Sequence, residues 1–136
     1  MTENLINWNQ SYSVGNLEMD KQHKKLIDII NKLFKSFKEG NAQNIFDDIL
    51  NEMIEYANFH LNSEEKLLFK YDYPEKEKHE QLHQSFRNKI GELKQMMKNG
   101  SQDAHYKLIE YLKNWWSNHI LVEDMKYSEF LSEKSQ

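Results

Sequence analysis

Five of the six histidines fall into a pattern with two carboxylates: His23, His60-x-x-x-Glu64, His79-x-x-x-His83 and His119-x-x-x-x-Asp124. Neutral imidazole nitrogens and carboxylate oxygens are metal ligands. Seven of them exceed the roughly four that satisfy a zinc ion. Five nitrogen donors are also wrong for calcium or magnesium, which take oxygen. The set therefore predicts a binuclear centre of a transition metal. Taken singly, each histidine reads more simply as a hydrogen-bonded core residue, and Glu64 as a surface partner of a nearby lysine. Taken jointly, that reading would bury five histidines and two acids with nothing to hold them, which is costly.

The elements that must position these donors are helices. Apolar residues recur at helical spacing from about Glu18 to Glu39, with Leu26, Ile27, Ile30, Leu33, Phe34 and Phe37, and Gly40 supplies a stop. A second stripe, from about Ala42 to Lys70, runs through Ile45, Ile49, Leu50, Met53, Tyr56 and Ala57 to His60, Glu64, Leu67 and Leu68. Pro74 suits the first position of a third helix, where its missing N–H costs nothing. That helix continues through Leu82, Phe86, Ile90, Leu93 and Met97 to about Lys98. The fourth runs from about Gln102 to at least Asp124 through Leu108, Leu112, Trp115 and Trp116. Residues 1–17 form an irregular N-terminal arm with Trp8, Tyr12 and Val14 as packing anchors, and the chain past the fourth helix is short helix or coil.

Short loops between four helices imply antiparallel neighbours, so the fold expected is an all-α, up-down-up-down four-helix bundle over about 18–128, in one domain of 136 residues. In that topology all seven donors fall in one slab, roughly 6–15 Å deep at ~1.5 Å per residue, at the same end of the bundle. Residues four apart differ by only about 40° in direction, so His60 with Glu64, and His79 with His83, share a face. His119 and Asp124 are five apart, about 140° on a regular helix. Either side-chain reach makes up the difference or the helix carries a one-residue π-bulge.

The composition narrows the class. The chain has no cysteine, which excludes disulfides, iron–sulfur clusters and thiolate nucleophiles on it. A net charge of −4 with no basic block argues against nucleic acid. No stretch approaches the ~20 apolar residues of a membrane helix. The opening MTENLINWNQ has neither a basic start nor an apolar run, so no signal peptide is expected and the location expected is cytoplasmic.

The pattern resembles the hemerythrin family, specifically its bacterial single-domain members. The likeness covers nearly the whole chain: Trp8, Met19-Asp20-x-Gln22-His23, His60 through Glu64-Glu65, Tyr73-Pro74, His79-x-x-x-His83-x-x-Phe86 and Trp115-x-x-x-His119-Ile120. The antiparallel bundle is also that family's own architecture. The resemblance implies two iron ions per chain, cycling between Fe2+ and Fe3+. One would take His79, His83 and His119 and the other His23 and His60. Glu64, Asp124 and an oxo or hydroxo group would bridge both. The second iron is then one ligand short of six, and the vacancy is where O2 binds. An apolar wall that excludes water is expected around it, from Ile27, Tyr56, Leu61, Trp116 and Ile120. The chain departs from the family at Trp116, where an aliphatic residue is usual.

Reversible O2 binding by a carrier, store or local supplier, and not catalysis, is thus the function expected, with a monomer as the expected state and no protein partner identified. An O2 or redox sensor, and a di-iron enzyme consuming peroxide or NO, are the alternatives. No signalling module lies within these 136 residues. Oxidative di-iron enzymes carry more carboxylates, with a Glu-x-x-His pair on each of two helices. This chain has one such spacing near the site, Glu80 to His83. A metal store is a weaker reading for one fixed site. His105 is read as a surface residue at the far end of the bundle. Tyr127 is read either as a hydrogen-bond partner of a bridging carboxylate or as a plain surface tyrosine.

Overall fold

The computed structural model describes residues 5–40, 43–101 and 103–134. Helix α1 (Leu17–Glu39) begins where the Asn16 side chain accepts the Met19 N–H, satisfying a donor the helix leaves free. It stops at Gly40, whose φ of 64° is the left-handed conformation that glycine adopts without strain. Helix α2 (Gln43–Lys70) follows, then α3 (Lys76–Lys98) and α4 (Ala104–Asn118). A π-helical turn, His119–Asp124, leads directly into α5 (Met125–Lys134). Among the described residues there is no strand, and no helix is long and apolar enough to cross a membrane.

α1 packs on α2 and α4, and α3 packs on α2 and α4, which closes an antiparallel four-helix bundle. Its main core joins Leu26, Ile30 and Leu33 to Leu50, Met53 and Leu61, and to Phe86, Ile90, Leu93, Leu108, Leu112 and Trp116. Each such side chain contributes about 1.5–3 kcal/mol by leaving water. A second apolar cluster of Val14, Met19, Leu68, Tyr73 and Tyr127 closes the end of the bundle where α2 finishes and α5 begins. The polar residues of the candidate site lie between the two clusters.

The N-terminal arm is fastened at several points. Asp20 accepts hydrogen bonds from the Ser13 hydroxyl and the Val14 N–H, and Ser128 donates to the Val14 carbonyl. Val14 is buried, while Trp8 and Tyr12 are half-buried and meet edge to face. Ile6 is a further buried anchor, its backbone N–H and C=O both paired with the Asn31 side chain.

Two expectations about the elements need correction. Pro74 does not open α3. The Tyr73 N–H still bonds the Leu68 carbonyl at 2.9 Å, with Asp72 at φ 54°, so the chain is finishing α2 at that point. Pro74 therefore falls in the turn, and α3 starts two residues later at Lys76. The apolar face of α2 also begins at Phe46, not Ile45: Phe46 is buried and Ile45 exposed. One residue is a rotation of about 100°, enough to exchange core for solvent. His105, expected on the surface, is half-buried with its ring edge on Phe46. The expected starts of the second and fourth helices, Ala42 and Gln102, lie outside the described residues.

Candidate metal centre

Each helix of the bundle brings its donors to one point. α1 supplies His23, α2 supplies His60 and Glu64, α3 supplies His79 and His83, and the π turn supplies His119 and Asp124. All seven residues are buried. The π turn answers the question left by the five-residue spacing. An i to i+5 repeat brings residues five apart back to the same side, so Asp124 shares the face of His119. Oδ1 of Asp124 lies 3.0 Å from His119 Nε2.

The two carboxylates divide the histidines into two groups. Glu64 Oε1 lies 2.7 Å from His79 Nε2, 3.0 Å from His83 Nε2 and 3.3 Å from His119 Nε2. Its other oxygen, Oε2, lies 3.6 Å from His23 Nε2 and 3.5 Å from His60 Nε2. Asp124 repeats the division, with Oδ1 3.2 Å from His79 Nε2 and Oδ2 3.1 Å from His23 Nε2. Donor atoms of Glu64, His79, His83 and His119 all lie within 4.8 Å of one another, as do those of His23, His60, Glu64 and Asp124. This is two adjoining metal-sized clusters that share a carboxylate.

The donor set fits cations. His23 Nε2, His60 Nε2 and both Asp124 oxygens are buried without a hydrogen bond. His23 Nε2 and Asp124 Oδ2 are close yet lack hydrogen-bond geometry. Buried polar atoms are normally paired, so a group of unpaired ones converging on one place marks a binding site. Electrostatics agree. Burial alone would push the imidazoles down, but the Asp124 and Glu64 carboxylates hold His23 up at about 9, His79 at about 10 and His119 at about 9. His60 follows its burial, down to about 3. Burial would raise the Glu64 carboxyl, yet His119, His23, His79 and His83 hold it well below the usual range. Asp124 is also held low, by His119 and His23, against burial and the charge of Glu64. Two buried anions here require positive charge, from protons or from metal ions.

Outer partners fix the rings. His60 Nδ1 pairs with Gln22 Oε1 at 2.8 Å and His83 Nδ1 with Glu65 Oε1 at 3.0 Å, leaving Nε2 of each toward the centre. The Tyr127 hydroxyl donates to Glu64 Oε2 at 2.9 Å and the residue is fully buried, so it is a partner of this carboxylate and not a surface tyrosine. Burial drives its phenol pKa well above 10, which keeps it protonated as a donor. Trp115, placed in the apolar stripe of the fourth helix, stacks on His119 with ring centroids 4.3 Å apart and planes 12° apart. Its position four before His119 was the available signal. Gln22 and Glu65 entered only as part of a resemblance, because their partners are on other helices.

The expected apolar wall is divided. Ile27, Leu61 and Trp116 are buried, and the Trp116 ring lies 5.8 Å from His60 and 6.0 Å from His119 between centroids. Tyr56 is half-buried at the edge of the main core, against Phe59 and beneath the Lys25 ammonium. The side chain of Ile120 lies outside the described residues.

A family model described as the Hemerythrin HHE cation binding domain matches residues 15–131. The chain is 33% identical over 126 residues to a hemerythrin-like protein of Naegleria gruberi, spanning 93% of each. It is 29% identical over 124 residues to a bacteriohemerythrin of Clostridium acetobutylicum, covering 88% of this chain and 96% of that one. A bacteriohemerythrin of Pseudomonas aeruginosa is 26% identical over 137 residues, covering 95% of this chain and 88% of that one.

Proposed function

The chain belongs to the hemerythrin family of non-haem di-iron domains, and from that premise we propose that it binds O2 reversibly at two irons held by His23, His60, Glu64, His79, His83, His119 and Asp124. The observation that carries the proposal is the division of both carboxylates, one oxygen toward His79 and His119 and the other toward His23. A carboxylate so divided could serve a metal on each side. His79, His83 and His119 would hold one iron and His23 and His60 the other, with Glu64 and Asp124 between them; bound there, the irons would supply the two electrons that O2 binding draws on.

The chain's own residues do the rest. Gln22 and Glu65 hold the rings of His60 and His83, and Tyr127 holds Glu64. Leu61, Trp116 and Ile27 on one side and the Tyr127 and Tyr73 cluster on the other keep water out. A dry site slows loss of the bound ligand. Five neutral donors against two anionic ones also leave less negative charge to stabilise high-valent iron, which favours binding over oxidation. Glu80, the acid of the one Glu-x-x-His spacing near the site, is exposed. The role that follows is carrier, store or local supplier of O2. Metal analysis and optical spectra test it together. Two irons per chain, and a charge-transfer band that appears in air and fades when O2 is removed, are expected. One metal per chain, or a spectrum that air changes irreversibly, would overturn it.

A further inference from the structure

His60 and His83 are braced differently. The partner of His60 Nδ1 is a neutral amide, Gln22, which itself donates to Glu18 at 3.1 Å. The partner of His83 Nδ1 is a carboxylate, Glu65. The same Glu65 oxygen also receives the Arg87 Nη1–H at 3.2 Å. Arg87 sits one turn beyond His83 on α3. Its other nitrogens are taken up by α2: Nε donates to Asn58 at 3.2 Å and Nη2 to Asn62 at 3.1 Å. Asn58, Asn62 and Glu65 are spaced four and three apart, so they line one face of α2. The planar guanidinium is thus spent on three acceptors in one row, a fit that a flexible ammonium does not reproduce. Glu65 is at the rim of the bundle with its side chain 18% exposed, so without a clamp water competes for it.

A carboxylate on the outer ring nitrogen raises the basicity of the inner one. We infer that Arg87 is a positioning residue of the centre: it clamps Glu65 onto His83 Nδ1, which makes His83 a stronger donor through Nε2 than His60. The inference rests on the proposed ligand role of His83. Nothing in the donor set alone required Arg87, which touches no ligand.

Two measurements test it. In the metal-free protein, nitrogen NMR of the His83 ring reports which nitrogen carries the proton. Without metal, His83 Nε2 also faces a carboxylate, Glu64 at 3.0 Å, so the proton is shared between the two nitrogens in the parent, and Arg87→Leu is expected to shift population from Nδ1 towards Nε2. In the iron-loaded protein, Glu65→Gln and Arg87→Leu should both move the midpoint potential in the positive direction, since a weaker donor stabilises Fe3+ less. The double variant should move it no further than Glu65→Gln alone, and Arg87→Lys should fall between parent and Arg87→Leu. Asn58→Ala with Asn62→Ala should shift it the same way without removing a charge. An Arg87→Leu protein that keeps the parent's ring tautomer and potential overturns the inference, and so does a negative shift. If Arg87→Leu does not hold iron, the metal-free measurement decides. A parent that takes up no iron would sink the proposed function instead, again leaving Arg87 to the metal-free arm.

Discussion

Replacing Tyr127 by Phe removes one oxygen from the centre of the protein and leaves the packing in place. The ring is fully buried, meets Tyr73 and His79 edge-on, and keeps those contacts as Phe. What disappears is the hydrogen bond to Glu64 Oε2 at 2.9 Å. The other neighbours of that oxygen, His60 at 3.5 Å and His23 at 3.6 Å, are too far to replace it. A hydrogen bond to a charged group is worth about 1.5–3 kcal/mol. Unfolding entropy near 60 °C is about 2.1 cal/mol/K per residue, so for 136 residues each kcal/mol moves Tm by about 3.5 °C. The metal-free Tyr127→Phe protein should therefore melt about 5–10 °C below the parent at pH 7. Circular dichroism at the helix band measures this, with Tyr106→Phe on the exposed surface as a control that does not shift. A change of less than about 1 °C would mean that Tyr127 does not hold Glu64.

Other consequences follow from the same geometry. Deleting Val122, exposed within the π turn, should return the turn to regular helix with His119 and the carboxylate four apart, and iron content should survive; inserting a residue there should rotate the carboxylate by about 100° and abolish the binuclear centre. Metal analysis distinguishes the two. His23, His79 and His119 have folded pKa values raised to about 9, 10 and 9, so their contribution to the metal-free fold is complete below about 6.5 and lost as pH rises through 9–10. The metal-free protein should accordingly melt lower at pH 10 than at pH 6.5. Iron must displace those protons, so uptake at pH 7 should release acid in a weakly buffered calorimeter. In the proposed centre Glu64→Ala or Asp124→Ala would take a ligand from both metals and should lose both, whereas His79→Ala should lose iron less completely. Asp124→Ala with two irons and normal O2 binding would contradict the bridging role.

Much of this was legible because helical periodicity and ligand spacing are local. His60 and Glu64, or His79 and His83, share a face by arithmetic alone. The His119 to Asp124 spacing showed that something had to give, but not what. A π turn costs regular hydrogen bonding, and only the demand that Asp124 and Tyr127 face the other three helices selects it. Phe46 and Ile45 are both good core residues, and neither periodicity nor propensity fixes a rotation of one residue. Pro74 obeyed a sound rule for helix starts, but α2 needed Tyr73 to complete its C-terminal turn first. The outer braces were illegible for a different reason. Gln22 to His60, Glu65 to His83 and Arg87 to Asn58 are contacts between helices, over 38, 18 and 29 residues of sequence. A single sequence records no such pairing.

Reversibility with the right stoichiometry is the most direct test of the account. An anaerobic, iron-loaded and reduced sample is titrated with O2 in a closed cell while free O2 and the optical spectrum are followed. It is then flushed with argon and titrated again. Reversible binding predicts one O2 taken up per two irons, full return of the reduced spectrum under argon, and the same uptake in the second cycle. Continuous O2 consumption, or a first uptake that argon does not reverse, would contradict it.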